Sequence, residues 1–105
     1  MLRVVLSIAI LVVATPAHAD RDMCARGTKY RGQTIDLDVK DADIHDVYRL
    51  LADVGNVNIV VPDAVRGRVT LRLKRVPWDQ VACTVASVHK LSLTAQGNVV
   101  LVRVR

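Results

Sequence analysis

From Thr34 to Val39 the chain alternates strictly, with Thr34, Asp36 and Asp38 on one side and Ile35, Leu37 and Val39 on the other. A period of two marks a half-buried strand. The rhythm then lengthens. Ile44, Val47, Leu50, Leu51 and Val54 recur three and four residues apart, which gathers them on one stripe of a helix. Asp41 or Asp43 supplies its N-terminal cap and Gly55 its stop signal. Arg49 and Asp53, four apart, form a surface pair on the opposite side. A short apolar strand over Val57–Val61 is closed by Pro62, and Asp63–Gly67 turns the chain. Arg68 to Lys74 alternates again, with Val69, Leu71 and Leu73 inward and Arg68, Arg72 and Lys74 outward.

Pro77 opens a second helix, because its missing N–H costs nothing in a first turn. Trp78, Val81, Val85 and Val88 share one face there, with Ala82 at its edge. The Val and Thr content lowers helix propensity, but the run to Lys90 is long for a strand. Leu91–Ala95 and Asn98–Val104 are strands around a Gln96-Gly97 turn. The order β-α-β-β-α-β-β predicts an α+β domain in which two βαβ-like halves share one core. Its expected members are Ile35, Leu37, Val47, Leu50, Leu51, Leu71, Trp78, Val81 and Val85.

Two stretches precede this pattern. Met1-Leu2-Arg3 begins with a positive charge, Val4–Val13 is apolar apart from Ser7, and Ala17-His18-Ala19 is a small-x-small site. The run is too short for a membrane span, which needs roughly 20 apolar residues. Residues 1–19 therefore read as a cleaved signal peptide, and the chain as exported to the periplasm. Arg21-Asp22-Met23 before Cys24 lacks the small apolar residues of a lipoprotein signal. Residues 20–33 are charged and aperiodic, an arm ahead of a domain at 34–105.

Setting the signal aside changes the composition. The 105 residues carry a net +5 and are 51% hydrophobic; Asp20–Arg105 is 86 residues at +4. An apolar fraction this high excludes a disordered tail. The remaining charge is polarised, about −3 up to Asp63 and +7 beyond it. Two cysteines, Cys24 and Cys83, allow a single intramolecular pairing in an oxidising compartment. At about 100° per residue Cys83 projects away from the Trp78 face, within reach of the arm. A bridge closing a loop near 60 residues would contribute roughly 4 kcal/mol in the chain-entropy model. A Cys83 on a second buried face, with both thiols free, is the competing reading.

Catalytic chemistry is not visible. The six aspartates from Asp36 to Asp53 flank a strand and a helix start, and without any Glu they cannot complete an EF-hand loop. His45 and His89 have no Cys or His at a ligand spacing. Ser87 and Ser92 lack a nucleophile-elbow context, and Cys83 lacks a base. No catalytic residue, metal or cofactor is expected. The basic residues Arg68, Arg72 and Lys74 are candidates for contact with an acidic protein surface. Nucleic acid is the less favoured partner, because single-strand binders pair basic residues with stacking aromatics. Only Tyr30, Tyr48 and Trp78 follow the signal, the last two on apolar faces or their margins.

Ile35-Asp36-Leu37-Asp38-Val39-Lys40-Asp41-Ala42-Asp43-Ile44, then Val47 and Leu50-Leu51-Ala52, resembles the start of the STN domain, the short N-terminal domain of secretins and TonB-dependent receptors. The resemblance continues through Asn58–Asp63 and Val65–Leu71, is strongest in Leu73-Lys74-Arg75-Val76-Pro77-Trp78-Asp79-Gln80, and ends at Gly97-Asn98-Val99. It covers about 70 residues and is nearest to secretins of type IV pilus systems. The resemblance implies two helices packed between two small sheets, with a role in periplasmic protein contact. The implied partner is a secretin, a pilus component or a TonB-linked signalling complex. With the sequence stopping at Arg105, the expectation is a docking domain without a pore, stand-alone and bridge-stabilised. A nucleic-acid-binding accessory of DNA uptake and a truncated secretin remnant are the alternatives.

Overall fold

The computed structural model describes residues 20–105; the signal-peptide expectation for residues 1–19 lies outside the described residues. The element order is β1 (Arg21–Asp22), β2 (Thr34–Asp43), α1 (Ile44–Gly55), β3 (Asn58–Val60), β4 (Arg68–Pro77), α2 (Trp78–His89), β5 (Leu91–Gln96) and β6 (Val99–Val104). From β2 onward this is the expected β-α-β-β-α-β-β α+β fold, with two helices and two small sheets. A two-residue strand in the arm, β1, is added to it.

The strands divide unexpectedly. β2 and β4 form an antiparallel ribbon by themselves, while β1, β5, β6 and β3 form a four-stranded sheet in that spatial order. Among the described residues only the β3–β6 pair is parallel. The strands on either side of each helix therefore lie in different sheets, and neither half is a true βαβ unit. Each helix crosses from the ribbon to the sheet, so both helices contribute to one core. Ile44, Tyr48, Leu51, Val81, Val85, Leu93 and Val102 are its most deeply buried members.

Helix α1 starts where Asp43 accepts the His45 N–H at 2.8 Å. It continues through Gly55 and ends on Asn56 in the left-handed conformation, φ 53°. The stop therefore lies one residue beyond the expected glycine. Gly55 serves another purpose: a Cβ there would overlap the Trp78 indole, and a Cβ on Gly32 would overlap the same ring from the arm. Trp78 is seated between two glycines that are distant in sequence.

Two apolar assignments are corrected. Leu50 is 42% exposed and Val88 72% exposed. Leu50 follows Arg49 and precedes Leu51, so it projects about 100° from the Leu51 direction, and Tyr48 takes the core position on the other flank. In α2 the buried face turns toward Ala82, Cys83 and Ala86, which leaves Val88 at its margin. Ile35 and Leu71 are half-buried, because a ribbon two strands wide is incompletely covered. Arg49 pairs with Asp46 at 3.8 Å rather than with Asp53; both side chains are largely exposed, so the pair contributes little.

Candidate partner-docking surface

The ribbon is the most polar part of the domain. β2 carries Asp36, Asp38, Lys40, Asp41 and Asp43, and β4 carries Arg68, Arg72, Lys74 and Arg75. The polarity split seen along the chain is therefore interleaved in space. Asp38 is paired across the ladder with Arg72, and Asp43 with Arg68. Arg72 Nε lies 4.0 Å from Asp38 Oδ2 with both side chains more than two-thirds exposed. Arg68 Nη1 donates to the Asp41 carbonyl at 3.2 Å. Two of the three outward cations are thus engaged by the acidic strand beside them. Lys74 is exposed next to Arg75, which places the less compensated charge at the far end of β4.

Two bulges shape this ribbon. Ile35 faces Val76 and Leu37 faces Leu73, so β4 holds one extra residue there; Val39 faces Leu71 and Ala42 faces Val69, so β2 holds one extra residue further on. Arg75 and Asp41 take positive φ values of 54° and 56° at these places. Each bulged N–H would lose its ladder partner, and each is met by a side chain from the opposite strand. The Arg75 N–H donates to Asp36 Oδ1 and the Asp41 N–H to Thr70 Oγ1, both at 2.8 Å. Asp36, read from the alternation as a plain solvent-facing carboxylate, thus has a structural duty. Among the described residues both strands keep one edge without a strand partner, and such edges are where an extended segment adds.

On the other side of the molecule Cys24 and Cys83 are bridged, with Cα atoms 5.5 Å apart. The arm carrying Cys24 is held at both ends. β1 lies antiparallel to β5, with Arg21 opposite Ala95 and Asp22 opposite Thr94, and the Met23 N–H donates to the Leu93 carbonyl at 3.1 Å. Further along, the Asp79 carboxylate accepts the Gly32 and Arg31 N–H groups at 3.2 and 3.3 Å. Sequence reasoning missed Asp79 in this role, because its partners lie 47 and 48 residues away.

Neither His45 nor His89 is simply a surface group. His45 Nε2 lies 2.7 Å from the Val65 carbonyl, and a Cβ on Gly67 would crowd the His89 ring. Together they brace the β3–β4 connection. Among the described residues no group of three or more His, Cys or Asp side chains could hold a metal ion. No helix of the described residues is long and apolar enough to cross a membrane.

With this geometry in place, relatives identify the architecture. No family model matches the chain. A 73-residue stretch, 70% of the chain, is 41% identical to the fimbrial assembly protein PilQ of Pseudomonas aeruginosa. A 71-residue stretch is likewise 41% identical to the type IV pilus biogenesis and competence protein PilQ of Neisseria meningitidis. The N0 domain of the type II secretin from enterotoxigenic Escherichia coli matches 67% of this chain and 93% of its own length, at a TM-score of 0.60 and 17% identity. The domain is STN-like, similar to the N-terminal domains of secretins. The DNA utilization protein HofQ of Escherichia coli K12 is 36% identical over 70 residues, 67% of the chain and 17% of HofQ. The chain spans about a tenth of the length of the PilQ relatives, at 10% and 9%. The likeness is thus to one domain of those proteins.

Proposed function

We propose that this STN-like domain is an exported, non-enzymatic docking module that works beside a secretin of a type IV pilus-type machine, in the periplasm. The observation that carries this reading is the 41% identity to PilQ over 70% of the chain, joined to a ribbon whose two outer edges lack strand partners among the described residues. The signal-like residues 1–19 support export, and the Cys24–Cys83 bridge supports an oxidising compartment. Docking proceeds by strand addition to the ribbon, with Arg68, Arg72 and Lys74 guiding an acidic segment. Because Arg68 and Arg72 already face β2 aspartates, Lys74 supplies the larger share of this guidance.

A photo-crosslinker placed at Lys40, exposed on β2, tests the proposal in a bacterium that assembles type IV pili. The expected product is a covalent adduct with a secretin or another pilus-system envelope protein. An adduct with a TonB-system component would move the module to that pathway. Neither adduct, with pilus assembly unaffected by deleting the gene, would sink the proposal and leave the truncated-remnant reading. The Arg68→Ala, Arg72→Ala, Lys74→Ala combination should weaken capture at low salt and change it little at high salt, since screening removes surface attraction.

One observation favours a second reading. The meningococcal relative is named a competence protein and the Escherichia coli one a DNA utilization protein. Against it, Trp78 and Tyr48 are buried and leave no stacking platform. A gel shift with single-stranded and duplex DNA at physiological salt should show no complex; a retained complex would favour this reading.

A further inference from the structure

The arm is held unevenly, and the bridge lies at its weaker end. Residues 30–33 are fixed by Asp79, by the Trp78 N–H donating to the Gln33 carbonyl at 2.9 Å, and by Gly32 against the indole. Residues 20–24 have a two-residue ladder, one further hydrogen bond to Leu93, the Met23 side chain in the core and an Asp20–Gln96 contact at the surface. Between these anchors Ala25–Lys29 is exposed and turns at Gly27, φ 85°. The two cysteines also differ in exposure. Cys83 is 7% exposed beneath the arm, whereas Cys24 is half-buried, and both line an open groove of about 500 Å³ with Tyr30, Thr84, Ser87 and Arg105.

We infer that Cys24 Sγ is a thiol-exchange site, and that the bridge is a latch on residues 20–29 rather than a staple for the whole domain. An incoming thiolate enters by the groove and attacks Cys24 Sγ. A new sulfur–sulfur bond forms there, and the Cys83 sulfur leaves as thiolate and takes a proton from water. With a dithiol reductant, the second thiolate then attacks the reductant's own sulfur and releases Cys24. The reductant ends as a disulfide and two electrons have passed to the bridge. Attack at Cys83 is disfavoured, because the arm leaves that residue only 7% exposed at the groove wall.

Opening the latch removes from the core only what the first anchor contributes, chiefly Met23. The ribbon, both helices and β3, β5 and β6 keep their mutual contacts. What is uncovered is the edge of β5 at Leu93–Ala95, together with the outer side of α2. The ladder there is too short to hold without the bridge, because two paired residues cannot offset the freedom the arm regains.

Purified oxidised protein treated briefly with glutathione, quenched with acid and mapped by mass spectrometry reads the site of attack. The expected mixed disulfide is at Cys24, in at least tenfold excess over Cys83; equal or inverted labelling overturns the assignment. Hydrogen exchange before and after full reduction with dithiothreitol reads the latch. Residues 20–29 and the β5 edge should lose protection, while 30–33, α1 and β4 keep theirs. Retained arm protection, or loss throughout the chain, overturns it. The Cys24→Ser, Cys83→Ser double variant should reproduce the reduced pattern without any reagent, and a variant that fails to fold counts against the latch.

Discussion

The two helices have the same length, twelve residues each, yet they are stabilised in opposite ways. α1 is one-sided: Ile44, Val47, Tyr48 and Leu51 are buried, and its remaining faces carry Asp46, Arg49 and Asp53. It has a side-chain cap and a left-handed Asn to end it. α2 is buried on two sides, one against the core through Val81 and Val85 and one beneath the arm through Cys83. It lacks a side-chain cap and ends on Lys90 in the left-handed conformation, φ 58°. Local signals specify α1. Tertiary contacts specify α2, which has little local preference to rely on.

The largest test of this contrast is Trp78→Ala. It removes the ring that joins the start of α2 to Gly55 and Gly32, and should cost about 3–5 kcal/mol in chemical denaturation. A loss under about 1 kcal/mol would mean that the slot does not couple the helices. Gly55→Val attacks the same slot from α1, and its overlap with the indole should destabilise by about 1–3 kcal/mol.

Tyr48 supplies the next. Its hydroxyl donates to the Ala82 carbonyl at 3.1 Å and is the direct polar contact between the helices. Tyr48→Phe should cost about 1 kcal/mol. Burial also pushes the Tyr48 hydroxyl well above its ordinary value of about 10. In the unfolded chain the phenol ionises near that value while the folded one stays protonated. The unfolded state therefore binds fewer protons above about pH 10, and stability falls as pH rises there. Tyr48→Phe should flatten that alkaline loss, and an unchanged slope would contradict the assignment.

Caps provide the smaller effects. Asp43→Ala should destabilise by about 1 kcal/mol, because α1 loses the acceptor for its His45 N–H. At the C-terminal ends, Lys90→Gly should stabilise by up to about 1 kcal/mol, since glycine adopts positive φ without a Cβ penalty. Asn56→Gly should gain less, as asparagine already tolerates that region. Equal gains in thermal melts would mean that the two termini are not strained differently.

Legibility in the sequence follows the same division. Strict alternation in Thr34–Val39 and Arg68–Lys74 was sufficient to find both ribbon strands, because one face is buried and the other solvated. It was not sufficient for the extension of β2 to Asp43, since the bulge at Asp41 breaks the period of two. In α1 the stripe was readable but its centre was not: Leu50 and Tyr48 compete for the margin, and neighbouring elements decided for Tyr48. The charge split along the chain suggested an uncompensated basic face. Pairing β2 with β4 placed aspartates beside those cations, which no linear pattern could announce.

The sequence by itself determined the element order, the apolar stripe of α1, the positions of the ribbon strands and the likeness to the secretin STN domain. Each of these depends on residues close together in the chain. Tertiary structure alone decided that the strands flanking each helix part into different sheets, that Asp36 and Thr70 satisfy the bulges, that Gly32 and Gly55 hold Trp78, and that Asp79 holds the arm. These depend on groups that folding brings together from 23 to 48 residues apart. Periodicity reports which way a side chain points, but not which distant group it will meet.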